Sequence, residues 1–213
     1  MAVPRKRDVF AGRSLPLVAG RTGLLVIDAQ NWVMDEERRQ PRPEFYEDAR
    51  SIVIPNLARL VRTCRSKGVE VIYTVMENYT RDGRDRSLDY KLSNFFIPKG
   101  SRDAKVIDEL KPDADEMVIP KTSSSLFNST NFEYLIRNIG LETVIVTGFL
   151  TDQCVDHTIR DGADRGFHMI CVSDGCATDT RARHANALDA FKGYCRMETT
   201  QSLIRAMDTD FGE

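Results

Sequence analysis

The chain has 213 residues, and its 30 lysines and arginines against 32 aspartates and glutamates leave a net charge of −2. That balance excludes a nucleic-acid or membrane partner recruited by bulk charge and leaves small-molecule chemistry as the better class. The length suits one domain over residues 1–213 with a sizeable core, and no low-complexity tract interrupts it.

Residues 1–20, MAVPRKRDVFAGRSLPLVAG, are basic and irregular. They lack the continuous apolar core of a secretory signal, and no later run approaches a membrane span. Cys64, Cys154, Cys171, Cys176 and Cys195 are an odd number with no paired framework, which points to a reducing, cytoplasmic setting. From Gly23, GLLVIDAQNW reads as an apolar strand that stops at Asp28. Beyond a charged loop, Val53, Leu57, Leu60, Val61 and Cys64 follow helical spacing, with Pro55 near the start and Gly68 as the stop.

Residues 69–76 form a second strand. The segment 77–100 has no clean period and mixes charge with Tyr79, Tyr90, Phe95 and Phe96. A loop of this length calls for a role, and its aromatics favour an active-site cover or a subunit contact. A short helix is expected over 104–110 and a third strand over 116–120, followed at once by Lys121 and a polar run. Thr130 and Glu133 have capping-box spacing, opening a helix that buries Phe132, Leu135, Ile136 and Ile139 and ends at Gly140.

Residues 142–166, ETVIVTGFLTDQCVDHTIRDGADRG, join a β-branched strand, a turn at Gly148 and a helix. Val155, Ile159 and Ala163 recur every four residues before Gly166 closes the helix. Cys154 therefore falls in the first helical turn, where unpaired N–H groups and the helix dipole favour a thiolate. The competing reading is a buried structural cysteine. A fifth strand over 167–173, a helix over 183–191, a strand over 195–199 and a closing helix over 201–207 complete the chain. Cys171 and Cys176 with His168 match no standard zinc spacing, so they read as core residues.

Strands alternating with helices predict an α/β fold, with a mostly parallel sheet covered on both faces and ligands at the carboxyl ends of its strands. No Gly-x-Gly-x-x-Gly or Walker-type loop follows a strand, which disfavours nucleotide binding. Asp28, Lys121 and Cys154 each fall just after a strand, so a parallel sheet brings them to one rim. Singly, the aspartate reads as a turn cap and the lysine as a solvent-facing charge. Together they read as base, charge partner and nucleophile, with acyl transfer as the reaction class. His157 sits a turn further along the same helix and reads as a supporting or packing residue, while His168 and His184 have no clear role.

LLVIDAQNW, PKTSSSLFNST and VIVTGFLTDQCVDHTIRDGADRGF together resemble the isochorismatase-like cysteine hydrolases, from about Gly23 to the C-terminus. The resemblance implies a three-layer α/β/α sandwich around a six-stranded, mostly parallel, Rossmann-like sheet. It implies an Asp–Lys–Cys triad that maps onto Asp28, Lys121 and Cys154. It also implies a non-proline cis peptide at Phe149–Leu150 and an oxyanion hole from the N–H groups of Leu150 and Cys154.

The family includes nicotinamidases, N-carbamoylsarcosine amidohydrolases, ureidoacrylate and biuret hydrolases, and isochorismatases. Nicotinamidases carry an Asp and two His as a metal site near the second strand, whereas this chain has no histidine before His157, so no metal and no cofactor are expected. True isochorismatases cleave a vinyl ether and lack the nucleophilic cysteine, so Cys154 favours cleavage of a small amide or ureide. Ether or ester hydrolysis, or a catalytically idle binding role, are the alternatives. Asn78 and LFNST resemble the ureidoacrylate and carbamoyl-compound hydrolases, and Gln30, Trp32, Asn78, Tyr79 and Phe127 are expected to contact a small, flat substrate. Members commonly form dimers or tetramers, so a homo-oligomer is expected, with neither nucleic acid nor membrane as partner.

Overall fold

Runs of Val, Ile and Leu with no polar alternation suit strands covered on both faces, and the computed structural model, which describes residues 13–211, has a sheet of that kind. Its strands are β1 (Thr22–Ile27), β2 (Glu70–Met76), β3 (Met117–Lys121), β4 (Thr143–Phe149), β5 (His168–Ala177) and β6 (Arg196–Glu198). All pairings are parallel, in the order β3-β2-β1-β4-β5-β6. The helices are α1 (Pro43–Asp48), α2 (Ile54–Ser66), α3 (Leu88–Leu92), α4 (Leu126–Ser129), α5 (Phe132–Ile139), α6 (Asp156–Asp164), α7 (Arg181–Phe191) and α8 (Thr200–Phe211).

Every residue of β1 is buried, and its alternate side chains enter two different cores. Leu24 and Val26 pack with α1, α2 and α8, whereas Leu25 and Ile27 pack with α5, α6 and α7. The result is the three-layer α/β/α arrangement expected from the sequence. Of the irregular segment expected over 1–20, residues 1–12 lie outside the described residues, and a 3-10 turn at Ala19–Arg21 leads into β1.

Three local expectations need correction. The helix read from Val53 begins at Pro43, because α1 and α2 are continuous through a π turn at Ala49–Val53. Pro55 then lies within a longer helical run, where the wider turn before it accommodates its missing N–H and its ring. Residues 104–110 form no α-helix, since Val106 is drawn into a bridge with Gln30 between two 3-10 turns, Arg102–Ala104 and Asp108–Leu110. The capping box does not close, because Glu133 pairs with Arg137 and Arg165 while Thr130 Oγ1 accepts from Phe132 N at 3.1 Å.

The chain leaves β1 toward β2 on one side and arrives at β4 on the other, so the topological switch point opens beyond the carboxyl ends of β1 and β4. Gly148 permits the close approach there. Its φ is +104°, and a Cβ at this position would stand 2.1 Å from Ile27 O. Gly148→Ala is expected to lower stability by roughly 3 kcal/mol or more, the range reserved for backbone collisions. Gly68→Ala, with φ +69° and open space around it, should cost only about 1–2 kcal/mol of left-handed strain. Urea unfolding of both variants measures the difference, and equal losses would contradict the close approach.

Candidate active site

Asp28 follows β1 in a left-handed conformation, φ +53°, which turns the chain away at the sheet edge. Its N–H donates to Thr74 O at 3.1 Å, and its Oδ1 accepts from Thr74 Oγ1 at 2.8 Å. Lys121 is the last residue of β3, level with Met76 of β2. Two strand spacings of about 4.8 Å separate β3 from β1, so Asp28 and Lys121 meet only by reaching across the end of β2. Lys121 Nζ stands 2.8 Å from Asp28 Oδ2, and both residues are 1% exposed.

Cys154 lies in a π turn, Thr151–Val155, that precedes α6. Val155 N–H reaches back to Leu150 O at 3.2 Å, and the Phe149–Leu150 peptide before the turn is cis. Lys121 Nζ is 3.2 Å from Cys154 Sγ and also donates to Ser123 O at 3.1 Å. One ammonium therefore touches a carboxylate and a sulfur at once.

The electrostatics depart from the expectation of a thiolate at a helix start. Burial pushes the Cys154 thiol up, Lys121 pulls it down, and Asp28 pushes it up again, with a net upward shift. A dry sulfur beside a carboxylate is held as the neutral thiol. For Lys121, burial favours loss of the proton, but Asp28, Cys154 and Tyr90 more than offset it and hold the ammonium well above the usual lysine range. The resting site is an ion pair with a thiol resting on its cation. Asp28 Oδ2 accepts from the Lys121 ammonium at 2.8 Å, and its second lone pair leaves room for a proton.

A cavity of about 660 Å³ opens over these groups, with Asp28 and Cys154 on its floor. Trp32, Tyr90 and Phe95 form one aromatic wall: Trp32 meets Phe95 edge-on at 4.6 Å, and Tyr90 meets Phe95 at 4.7 Å. Tyr90 and Phe95 come from the 77–100 segment, which thus covers the cavity from one side. Asn78 fastens that segment, exchanging N–H and side-chain bonds with Ile97 at 3.0 Å each.

Of the five residues expected to contact substrate, only Trp32 lines the cavity. Gln30 is fully buried, and its amide is used up by Met76 N, Met76 O and Asp103 O. Asn78 is spent on Ile97, and Tyr79 turns its hydroxyl to Pro120 O at 2.7 Å. Phe127 packs against Phe132 and Phe167 in the second core. The family resemblance brought these residues to notice, but the polar groups of Gln30, Asn78 and Tyr79 serve the backbone.

The aromatic cover expected from the 77–100 segment is supplied by Tyr90 and Phe95, while Ser124 beside Cys154 is a site residue that sequence reasoning missed. It also placed His157 in a supporting role, whereas His157 lines the cavity with Nδ1 2.7 Å from Ser124 Oγ. Its three-residue spacing from Cys154 was the available signal, because such residues share a helix face. His184 bonds Thr151 Oγ1 at 2.8 Å, and burial lowers its pKa. Among the described residues no three His, Cys, Asp or Glu side chains converge on a metal-holding point, and no helix is long and apolar enough to cross a membrane.

Residues 22–202 match the family model described as Isochorismatase domain. The chain belongs to the isochorismatase family. Among curated relatives, the N-carbamoylsarcosine amidase of Arthrobacter sp is 30% identical over 175 residues, covering 79% of this chain and 66% of that protein. The ureidoacrylate amidohydrolase RutB of Serratia proteamaculans (strain 568) is 28% identical, covering 72% of this chain and 68% of that protein. The chain thus spans about two thirds of the length of these family members. A cysteine hydrolase structure from Pseudomonas syringae pv. phaseolicola 1448A superposes with TM-score 0.81 at 23% identity, covering 92% of this chain and 96% of that one, a likeness of fold.

Lys121→Met leaves Asp28 buried without its cation and should lower stability by about 3–5 kcal/mol. Combining it with Asp28→Asn should recover most of that loss. Urea denaturation of the two single variants and the double variant measures the coupling. A loss below about 1 kcal/mol for Lys121→Met would place the pair in the class of solvent-screened bridges.

Proposed function

We propose that this member of the isochorismatase family is an amidohydrolase that cleaves the C–N bond of a small amide or ureide through a thioester on Cys154. The observation that carries the reading is the single ammonium of Lys121, 2.8 Å from Asp28 Oδ2 and 3.2 Å from Cys154 Sγ, beneath two residues that line an open cavity. The relatives named as amidases and amidohydrolases support the same bond type.

In this reading Asp28 takes the thiol proton as Sγ attacks the carbonyl carbon. Lys121 balances the negative charge that passes between carboxylate and sulfur. The N–H groups of Leu150 and Cys154 receive the oxyanion, a role suited to backbone donors fixed before the reaction begins. Collapse breaks the C–N bond, and the proton on Asp28 leaves with the amine. Water then attacks the thioester carbon and gives a proton to Asp28, which returns it to sulfur as the acid departs. The neutral resting thiol suits this cycle, since the proton needed by the leaving amine starts on the nucleophile. Trp32, Tyr90 and Phe95 supply flat apolar surface against which a planar amide can lie.

The test is release of ammonia or amine from a panel of N-carbamoylsarcosine, ureidoacrylate, acetamide and benzamide, with isochorismate as the ether control. At least one amide or ureide should turn over while isochorismate does not. Cys154→Ala should lower that turnover by at least about 10⁴-fold, and Asp28→Asn by about 10²- to 10⁴-fold. Equal turnover by wild type and Cys154→Ala would sink the mechanism.

A further inference from the structure

One polar chain in the cavity is unused by the acyl-transfer cycle. Ser124 Oγ lies 3.7 Å from Cys154 Sγ and 2.7 Å from His157 Nδ1. The neighbouring serines are otherwise engaged: Ser123 donates to Ser125 O at 3.0 Å, and Ser125 donates to Asp161 Oδ2 at 2.5 Å. Of the three consecutive serines, Ser124 is the one whose hydroxyl joins the sulfur to another titratable group. A hydroxyl carries one proton and two lone pairs, so it can accept from one neighbour while donating to the other. The ends of the chain differ in exposure, since Cys154 is buried and His157 is exposed on the cavity wall.

We propose that Ser124 and His157 form a proton port connecting the Cys154 thiol to solvent, separate from the buried Asp28–Lys121 pair. With His157 carrying its proton on Nε2, the thiol proton moves to Ser124 Oγ as the Ser124 hydroxyl proton moves to His157 Nδ1. The products are a thiolate and an imidazolium, and no bond between heavy atoms changes. Ser124 touches the reacting sulfur, and His157 acts through it. The proposal rests on Cys154 as the nucleophile and divides the proton traffic in two. During turnover Asp28, 1% exposed, takes the thiol proton and passes it to the leaving amine, while between turnovers the port exchanges the proton of the free thiol with bulk water.

Charged groups lie at both ends of the port. Asp28, Lys121 and Tyr90 face the sulfur end. Asp89 and Asp179 line the cavity that His157 enters, with Asp179 paired to Arg183 at 2.8 Å and Arg42 at 3.7 Å. On the helix of His157, Asp156 is paired with Arg160 and Asp161 with Arg165.

Alkylation of Cys154 by iodoacetamide tests this without any substrate. The rate is followed across pH by peptide mass mapping, which separates Cys154 from the other four cysteines, in wild type, Ser124→Ala, Ser124→Thr and His157→Gln. Ser124→Ala and His157→Gln should each slow neutral-pH alkylation about tenfold, equivalent to one pKa unit of thiolate population. Both should move the inflection of the rate–pH curve upward, and Ser124→Thr, which keeps a hydroxyl, should restore the wild-type curve. A curve unchanged in His157→Gln, an exposed site whose replacement leaves folding intact, overturns the port even if amide turnover is normal. The expected pattern in a protein that hydrolyses none of the amide panel upholds the port and removes the amidohydrolase reading instead.

Discussion

The contact on which the rest of the site depends is the buried ion pair between Lys121 and Asp28. At 2.8 Å the gross attraction is about 6 kcal/mol for an effective dielectric near 20. Removing two ions from water costs several kcal/mol each, so such a pair roughly breaks even as a source of stability. Its consequence is positional. The ammonium can neither leave the carboxylate nor avoid the sulfur, and it holds a thiol, a carboxylate and a positive charge together in a dry space.

The fold supplies that space through one topological fact. The sheet reverses its order between β1 and β4, which opens a crevice where Asp28 and Cys154 leave their strands. Lys121 arrives from two strands away, and Thr74, on the strand between, hydrogen-bonds Asp28 Oδ1 as the lysine reaches across. Gly148 lets the backbone of β4 close onto Ile27 at the edge of the crevice, and the cis peptide and π turn that follow deliver Cys154 to the floor. The 77–100 segment then adds an aromatic wall, fastened by Asn78, without which the floor would lie open to water.

Much of this was legible in the residues. β-branched runs, the glycines that end helices and a reactive residue after each of three strands carry the sheet, its direction and the meeting of Asp28, Lys121 and Cys154. The wall was legible only as a segment, because 77–100 has no periodicity, and tertiary contacts decide that Tyr90 and Phe95, not Tyr79 and Phe96, reach the cavity. Gln30 and Asn78 misled for the opposite reason. A polar side chain at a strand end looks available for a ligand, yet it is also the nearest partner for backbone groups left over where the sheet stops. The protonation of Cys154 is another property of three dimensions. Position in a first helical turn favours a thiolate, but burial beside Asp28 reverses the sign.

The central claim is that Cys154 carries the acyl group, and acid quenching during turnover followed by intact-protein and peptide mass measurement tests it most directly. With the amide or ureide that turns over fastest, the account predicts an added acyl mass on the peptide containing Cys154, removed by hydroxylamine and accumulating when the amine product forms faster than the acid. Sustained turnover with that peptide at its unmodified mass throughout, under conditions where acid release limits the rate, would contradict it.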